Sequence, residues 1–339
     1  MGLLGFKLKL GMFPSTEKVE KQRDKLAKDY RDFVEFSQSK ELERFEYLNK
    51  YLNSVEFEEK ENDPETDQSK ILALKNEFKA LQKSPKLTWY FKAKAREPQF
   101  APVKAWQLQF EDHFAGNKLD EEKWLTRYYW GDKLLNDSYS LMGDKHYITQ
   151  GNNISFSGSV LSIETKKQNA KGMIWTPTAG FVPHDFEYTS GMINTGKAFR
   201  HQYGKVEARV KVPKGNAYHA FWLAGERMLP QVNIFKYSGG KFYLGNFWGN
   251  VDKPDGINKD NTVLTGAFAG KSYIYALEWS PEQLTWSING VVFKSMRRGI
   301  PTEPMYIAFC SGMDEDSAEL RNPVKLEIDW VRFYSKGKA

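Results

Sequence analysis

Residues able to do acid–base, nucleophilic or metal chemistry are sparse in this chain, and their spacing excludes several reactions. The five histidines (His113, His146, His184, His201 and His219) show no metal-ligand spacing such as HExxH. The single cysteine, Cys310, forbids both a thiolate zinc site and an internal disulfide. Gly239-Gly240 lacks the Gly-Lys-Ser/Thr that a phosphate-cradling loop requires. The segment Gln231-Val232-Asn233-Ile234-Phe235-Lys236 is different. On a strand, alternate residues share a face, so Gln231 and Asn233 project together. Two amides there keep the size and hydrogen-bonding reach of carboxylates without the charge that makes a nucleophile. An ammonium with an ordinary pKa near about 10.4 is a poor acid at neutrality. Glu226, Asp252 and Asp255 flank the segment and read as surface or turn residues rather than as a relocated carboxyl pair.

The elements that must position these residues change character along the chain. From Trp106 onward the pattern has period two with frequent glycine turns. Tyr203 to Pro213 alternates Val206, Ala208, Val210 and Val212 against Glu207, Arg209 and Lys211, a half-buried strand. Further strands are expected at Val160 to Thr165, Ile274 to Trp279, Thr285 to Ile288, Tyr306 to Phe309 and Val324 to Tyr334, with Asn289-Gly290 as a type I′ hairpin turn. Many short strands without alternating helices predict an all-β antiparallel sandwich or jelly roll for residues 101–339.

Residues 1–100 predict a helical arm. They hold 20 Lys+Arg and 18 Asp+Glu of totals of 49 and 43, yet only 3 of 26 Gly and 1 of 10 Trp, so turns and large aromatic surfaces belong to the second region. Val19, Leu26 and Phe33 recur at seven residues with Tyr30 beside them, and Ile71, Leu74, Phe78 and Leu81 recur at three and four. An apolar-x-x-Ser-x-x-apolar pattern repeats at Phe36/Ser39/Leu42, Tyr51/Ser54/Phe57 and Leu81/Ser84/Leu87, which predicts Ser-capped helix starts with apolar staples. Glu58 to Asp67 reads as a solvated loop. The narrow apolar stripes fit mutual packing, or a surface for a protein partner or self-association.

A net charge of +6 is mild for 339 residues and describes a solvated surface, so no nucleic-acid partner is expected. Lys7 and Lys9 interrupt the apolar start, and no export segment is read there; no membrane span is expected. Compartment is left open, with cytoplasmic synthesis or association with a virion both compatible.

Five spaced stretches carry a family resemblance. Phe110-Glu111-Asp112-His113-Phe114 with Leu119-Asp120 and Trp124, SGMINTGKAFRHQYGKVEARVKVPKG from Ser190, AFWLAGE from Ala220, YALEWSPEQLTWSING from Tyr275 and IDWVRFY from Ile328 resemble family 16 glycoside hydrolases, the laminarinase, lichenase and agarase group. The resemblance runs from Trp106 to Tyr334 and implies a concanavalin-like jelly roll. It also implies a catalytic strand of the form Glu-x-Asp-x-x-Glu after AFWL, holding nucleophile, helper and acid/base. Retaining hydrolysis needs two such carboxyls about 5 Å apart. Here the strand reads Gln231, Asn233 and Lys236, which implies a noncatalytic relative: a pseudoenzyme that binds carbohydrate, or a structural protein in an assembly such as a virion. The alternative is an active endo-hydrolase with other catalytic residues.

The family's concave sheet further implies Trp222, Trp248, Phe199 and Tyr203 as sugar platforms, with Gln231 and Asn233 as hydrogen-bonding partners and Arg200, His201, Lys205 and Lys236 as a basic rim. Trp124, Trp279, Trp286 and Trp330 are expected in the core. No cofactor is expected. A structural calcium that some members carry would fall at Asp329.

Overall fold

The computed structural model describes residues 13–227, 229–250, 253, 256–264 and 268–337. Asp252 and Asp255 therefore lie outside the described residues. The chain divides into two compact units, Met1–Val19 with Trp106–Lys338, and Glu20–Ala105.

The second unit is helical. It continues α1 (Thr16–Ser37) through α2 (Lys40–Tyr51), α3 (Val55–Asn62), α4 (Gln68–Gln82) and α5 (Pro85–Ala95), then a 3-10 turn and α6 (Ala101–Lys104). Ser39, Ser54 and Ser84 each cap a helix by accepting from the backbone N–H of Leu42, Phe57 and Leu87. Those three acceptor turns end on side chains that are themselves buried, so each cap is locked by the apolar residue it orients. Helix α3 occupies the first half of the expected loop at 58–67, leaving a turn from Asp63 capped onward by Asp67. The unit has its own core of Phe33, Leu42, Leu87, Tyr90, Ala93 and Phe100, with Phe33 stacked on Tyr90 at 5.1 Å.

The first unit is a two-sheet sandwich. Among the described residues one sheet has eleven strands, with the path β15-β14-β13-β8-β17-β5-β6-β3, and the other has six, ordered β12-β11-β10-β9-β16-β7. Their ranges are β1 (Trp106–Asp112), β2 (Tyr139–Leu141), β3 (His146–Ile148), β4 (Ile154–Ser157), β5 (Val160–Thr176), β6 (Gly180–Ser190), β7 (Met192–Asn194), β8 (Gly204–Lys211) and β9 (Tyr218–Ala224). They continue with β10 (Gln231–Ser238), β11 (Lys241–Gly249), β12 (Ile257–Leu264), β13 (Ser272–Trp279), β14 (Leu284–Ile288), β15 (Val291–Met296), β16 (Tyr306–Gly312) and β17 (Val324–Lys336). Pairing is antiparallel except where β2 joins β5 and β3 joins β6. Asn289 and Gly290 both take positive φ, as the expected I′ turn requires.

The inward faces build one core that includes Val206, Ala208, Val210, Phe221, Leu223, Phe235, Phe309 and Trp286. Trp124, Trp279, Trp286 and Trp330 are all buried. The indole N–H of Trp286 donates to the main-chain oxygen of Asn233 at 2.9 Å, which fixes β10 from beneath.

Residues just before α1 also belong to the sandwich. Phe13 packs edge-on to Phe268 and Tyr273 and lies 6.1 Å from Phe293. The Thr16 hydroxyl donates to the Ser272 carbonyl at 2.7 Å, and the Asn289 amide donates to the Pro14 carbonyl at 2.9 Å. No helix of the described residues is long and apolar enough to cross a membrane.

Candidate functional site: the outer face of the six-stranded sheet

Strand β10 carries an irregularity between Asn233 and Phe235 against β9, and between Asn233 and Lys236 against β11. Val232, Ile234, Phe235 and Tyr237 all enter the core, so two consecutive residues point inward at the bulge. Gln231, Asn233 and Lys236 consequently share the outer face, because strict alternation would have driven the Lys236 ammonium into the sandwich. The Gln231 amide donates to the Asn233 side-chain oxygen at 2.8 Å. Lys236 Nζ lies 3.5 Å from the Asp314 carboxylate and 4.9 Å from the centre of the Tyr218 ring.

Directly opposed residues on neighbouring strands share a face. Trp222 faces Asn233 and Ala220 faces Lys236 on one side. Phe247 faces Gln231 and Tyr243 faces Lys236 on the other. Phe247 and Tyr243 were not singled out by sequence reasoning. The register that would have found them depends on the β10–β11 pairing, which the residue types alone do not fix.

Half of this face is covered by the chain itself. Tyr129 and Ile148, with Leu125 and Tyr128, pack on Met192, Tyr218, Ala220, Trp222, Ala224, Tyr306, Ala308 and Cys310. Trp222 is left 8% exposed, so it lies on the expected face but beneath a cover. The uncovered half, over β10 and β11, presents Gln231, Lys236, Tyr243 and Phe247 as half-buried side chains.

The other expected platforms lie elsewhere. Trp248 turns toward the core, with its ring where a Cβ on Gly299 would fall, because alternation along β11 gives the outer face to Phe247. Phe199 stacks on Phe110 at 4.8 Å, and Tyr203 meets Trp279 edge-on at 5.2 Å; both pack against the core. The basic rim does not assemble either. Lys205 pairs with Glu207 on β8 and sits over Trp106 and Tyr334, while His201 bonds the Gln202 and Tyr203 carbonyls. Arg200 pairs with Glu226 at 2.5 Å and lies over the Tyr129 ring at 4.2 Å, at a cavity of about 550 Å³.

The electrostatics of the face are set by burial. Burial raises the Asp144 carboxyl above its ordinary range, against the lowering effects of His146, the Leu141 backbone N–H, the Tyr218 hydroxyl and Lys236. On the inward side, burial pushes His219 down to about 3, so the imidazole is neutral. Its Nδ1 meets the Ser311 hydroxyl at 2.9 Å.

Asp329, the carboxylate expected at a calcium site, is held by an ion pair. Its carboxylate is 2.6 Å from the Arg209 guanidinium, a cation already in place. Among the described residues no group of three or more His, Cys, Asp or Glu is arranged to hold a metal ion.

Glucan endo-1,3-beta-glucosidase A1 of Niallia circulans is 21% identical across 70% of this chain and 39% of its own length. Beta-1,3-glucan-binding protein 1 of Manduca sexta is 27% identical across 30% of this chain and 24% of its own. The chain thus spans well under half the length of both relatives. The catalytic domain of the endo-1,3-beta-glucanase (laminarinase) from Thermotoga petrophila superposes with a TM-score of 0.54 at 20% identity, covering 70% of this chain and 100% of that one. The kappa-carrageenase of Pseudoalteromonas carrageenovora gives 0.55 at 18%, covering 69% and 97%. At such identities the superpositions speak for the jelly-roll fold. The sequence pattern of glycosyl hydrolases family 16 matches residues 142–332, more than half of the chain, and the chain belongs to that family.

Proposed function

We propose that this chain is a noncatalytic family 16 module that binds polysaccharide on the uncovered half of its outer sheet face. The observation that carries the reading is the bulged strand β10, whose three outward positions hold two amides bonded to each other and an ammonium paired with Asp314. In this reading Gln231, Asn233 and Lys236 stand where nucleophile, helper and acid/base would stand. An oxocarbenium-like transition state would then meet positive charge where it needs negative. Gln231 and Lys236 remain able to hydrogen-bond sugar hydroxyls, and Phe247 and Tyr243 offer ring faces beside them. A relative named as a glucan-binding protein supports the binding part of this reading.

Calorimetric titration with laminarin, mixed-linkage β-glucan and carrageenan oligosaccharides tests the proposal. Binding to one of them should weaken about tenfold in Phe247→Ala, on the order of 1.4 kcal/mol. Absence of binding to every one, or an unaffected Phe247→Ala variant, would count against it.

A second reading, a structural protein acting through assembly, is favoured by the exposed apolar side chains Tyr47, Val55, Leu72 and Phe91 of the helical unit. Light scattering of the full chain separates it, since a monomer at micromolar concentration contradicts self-association.

A further inference from the structure

The ammonium of Lys236 is the centre of a set of contacts that joins the sheet to the segment lying over it. Residues 144–146 are stitched to residues 313–317. The Lys145 backbone N–H donates to the Met313 carbonyl at 2.9 Å, the Met313 N–H donates to His146 Nδ1 at 3.1 Å, and Lys145 Nζ donates to the Glu315 and Ser317 carbonyls at 3.1 and 3.3 Å. Asp144 and Asp314 bridge through their backbones. This stitched pair meets the sheet at two points. Asp314 is paired with Lys236 on β10, and Asp144 accepts from the Tyr218 hydroxyl on β9 at 3.3 Å. Lys236 in turn lies over the Tyr218 ring, so the two attachments share one cation.

We propose that Lys236, Asp314, Tyr218 and Asp144 form a latch that holds residues 144–148, the end of the cover that carries Ile148, against the sheet and gates the covered half of the outer face. The latch stands whether or not that face binds a polysaccharide. Lys236 fits the role because one ammonium offers three donors to a half-buried carboxylate and a cation to a ring face, and both partners are partly withdrawn from water. A carboxylate at position 236 would instead face Asp314 and the buried Asp144, and like charges at that distance repel.

The molecule carries its own reporter. Cys310, the only thiol, is 4% exposed and belongs to the cluster beneath the cover. Its reaction with dithiobis(nitrobenzoate) requires opening, so the labelling rate reads the opening equilibrium. The full chain should label slowly. Lys236→Glu and Asp314→Lys should each label about tenfold faster or more, and the double exchange should label more slowly than Lys236→Glu while staying faster than the parent, because it restores the 236–314 pair but leaves a carboxylate over Tyr218 and beside Asp144. Parental rates in both single variants, or a double exchange no slower than Lys236→Glu, would overturn the latch. Should a charge reversal prevent folding by circular dichroism, Lys236→Met and Lys236→Arg decide. The latch requires faster labelling in Met and a parental rate in Arg, and equal rates in the two contradict it.

Discussion

At the scale of single residues, the bulge at Asn233–Phe235 decides what the outer face can do, because it moves the Lys236 ammonium from the core side to the outer face. It does not by itself make the face a reaction centre. Combining Gln231→Glu, Asn233→Asp and Lys236→Glu puts three carboxyls on the strand, yet the third would stand against both Asp314 and the buried Asp144. No release of reducing ends from β-glucans is therefore expected from the triple variant, and measurable turnover would show that neither obstacle matters. A second residue-scale consequence concerns His219, a fully buried imidazole held neutral with its pKa pushed down to about 3 by burial. The unfolded chain takes up that proton near pH 6.5 and the folded chain does not, so stability falls as pH drops from about 7 toward 3. By pH 4 the loss attributable to this group is about 3 kcal/mol. Urea unfolding at pH 7 and pH 4.5 should show a smaller pH dependence in His219→Gln than in the parent; equal dependence would mean the imidazole is protonated inside the fold.

At the scale of elements, the segment before α1 contributes more to the sandwich than its position in a charged region suggests. Phe13 fills an aromatic box made by Phe268, Tyr273 and Phe293, and Thr16 and Asn289 tie the segment to the β13 edge and the β14–β15 turn. Phe13→Ala should cost about 2 kcal/mol in the sandwich transition, less than a fully buried phenylalanine because the ring is half-exposed. A chain begun at residue 101 should unfold cooperatively at lower denaturant than the full protein, and an unchanged midpoint would show the segment to be dispensable. The same contacts explain why the sequence does not advertise it: a lone phenylalanine beside Pro14 has no period to detect. Strands with alternation over five or more residues, such as β8, β13 and β17, and the Ser-capped starts at Ser39, Ser54 and Ser84 are legible from local chemistry alone. The cover is not. Strands β2 and β3 are three residues each and pair in parallel with distant strands, so neither length nor turn chemistry marks them. The continuation of β5 through Lys166 to Gly172 is polar enough to read as loop.

At the scale of the whole molecule, a family 16 sandwich is joined in sequence to a helical unit with its own core, and the two have different physical demands. The sandwich is held by long-range strand pairing between residues far apart in sequence, whereas the helices are fixed by local caps and one aromatic cluster. The family could be read from five spaced stretches because those stretches specify core and turn positions throughout the sandwich. The outer face of the six-stranded sheet is legible only in part. The family resemblance leads to Gln231, Asn233 and Lys236 on β10 and to Trp222 on β9, and these four share that face. Of the other expected platforms, Trp248 is turned inward by alternation along β11, and Phe199 and Tyr203, which lie outside the strands, pack on Phe110 and Trp279. The central claim, binding without cleavage, is tested most directly by native electrophoresis of the full chain in gels cast with laminarin, mixed-linkage β-glucan or carrageenan and stained for intact polysaccharide. The account predicts retarded migration in at least one gel with no cleared zone around the band, whereas a cleared zone, or unretarded migration in all three, would contradict it.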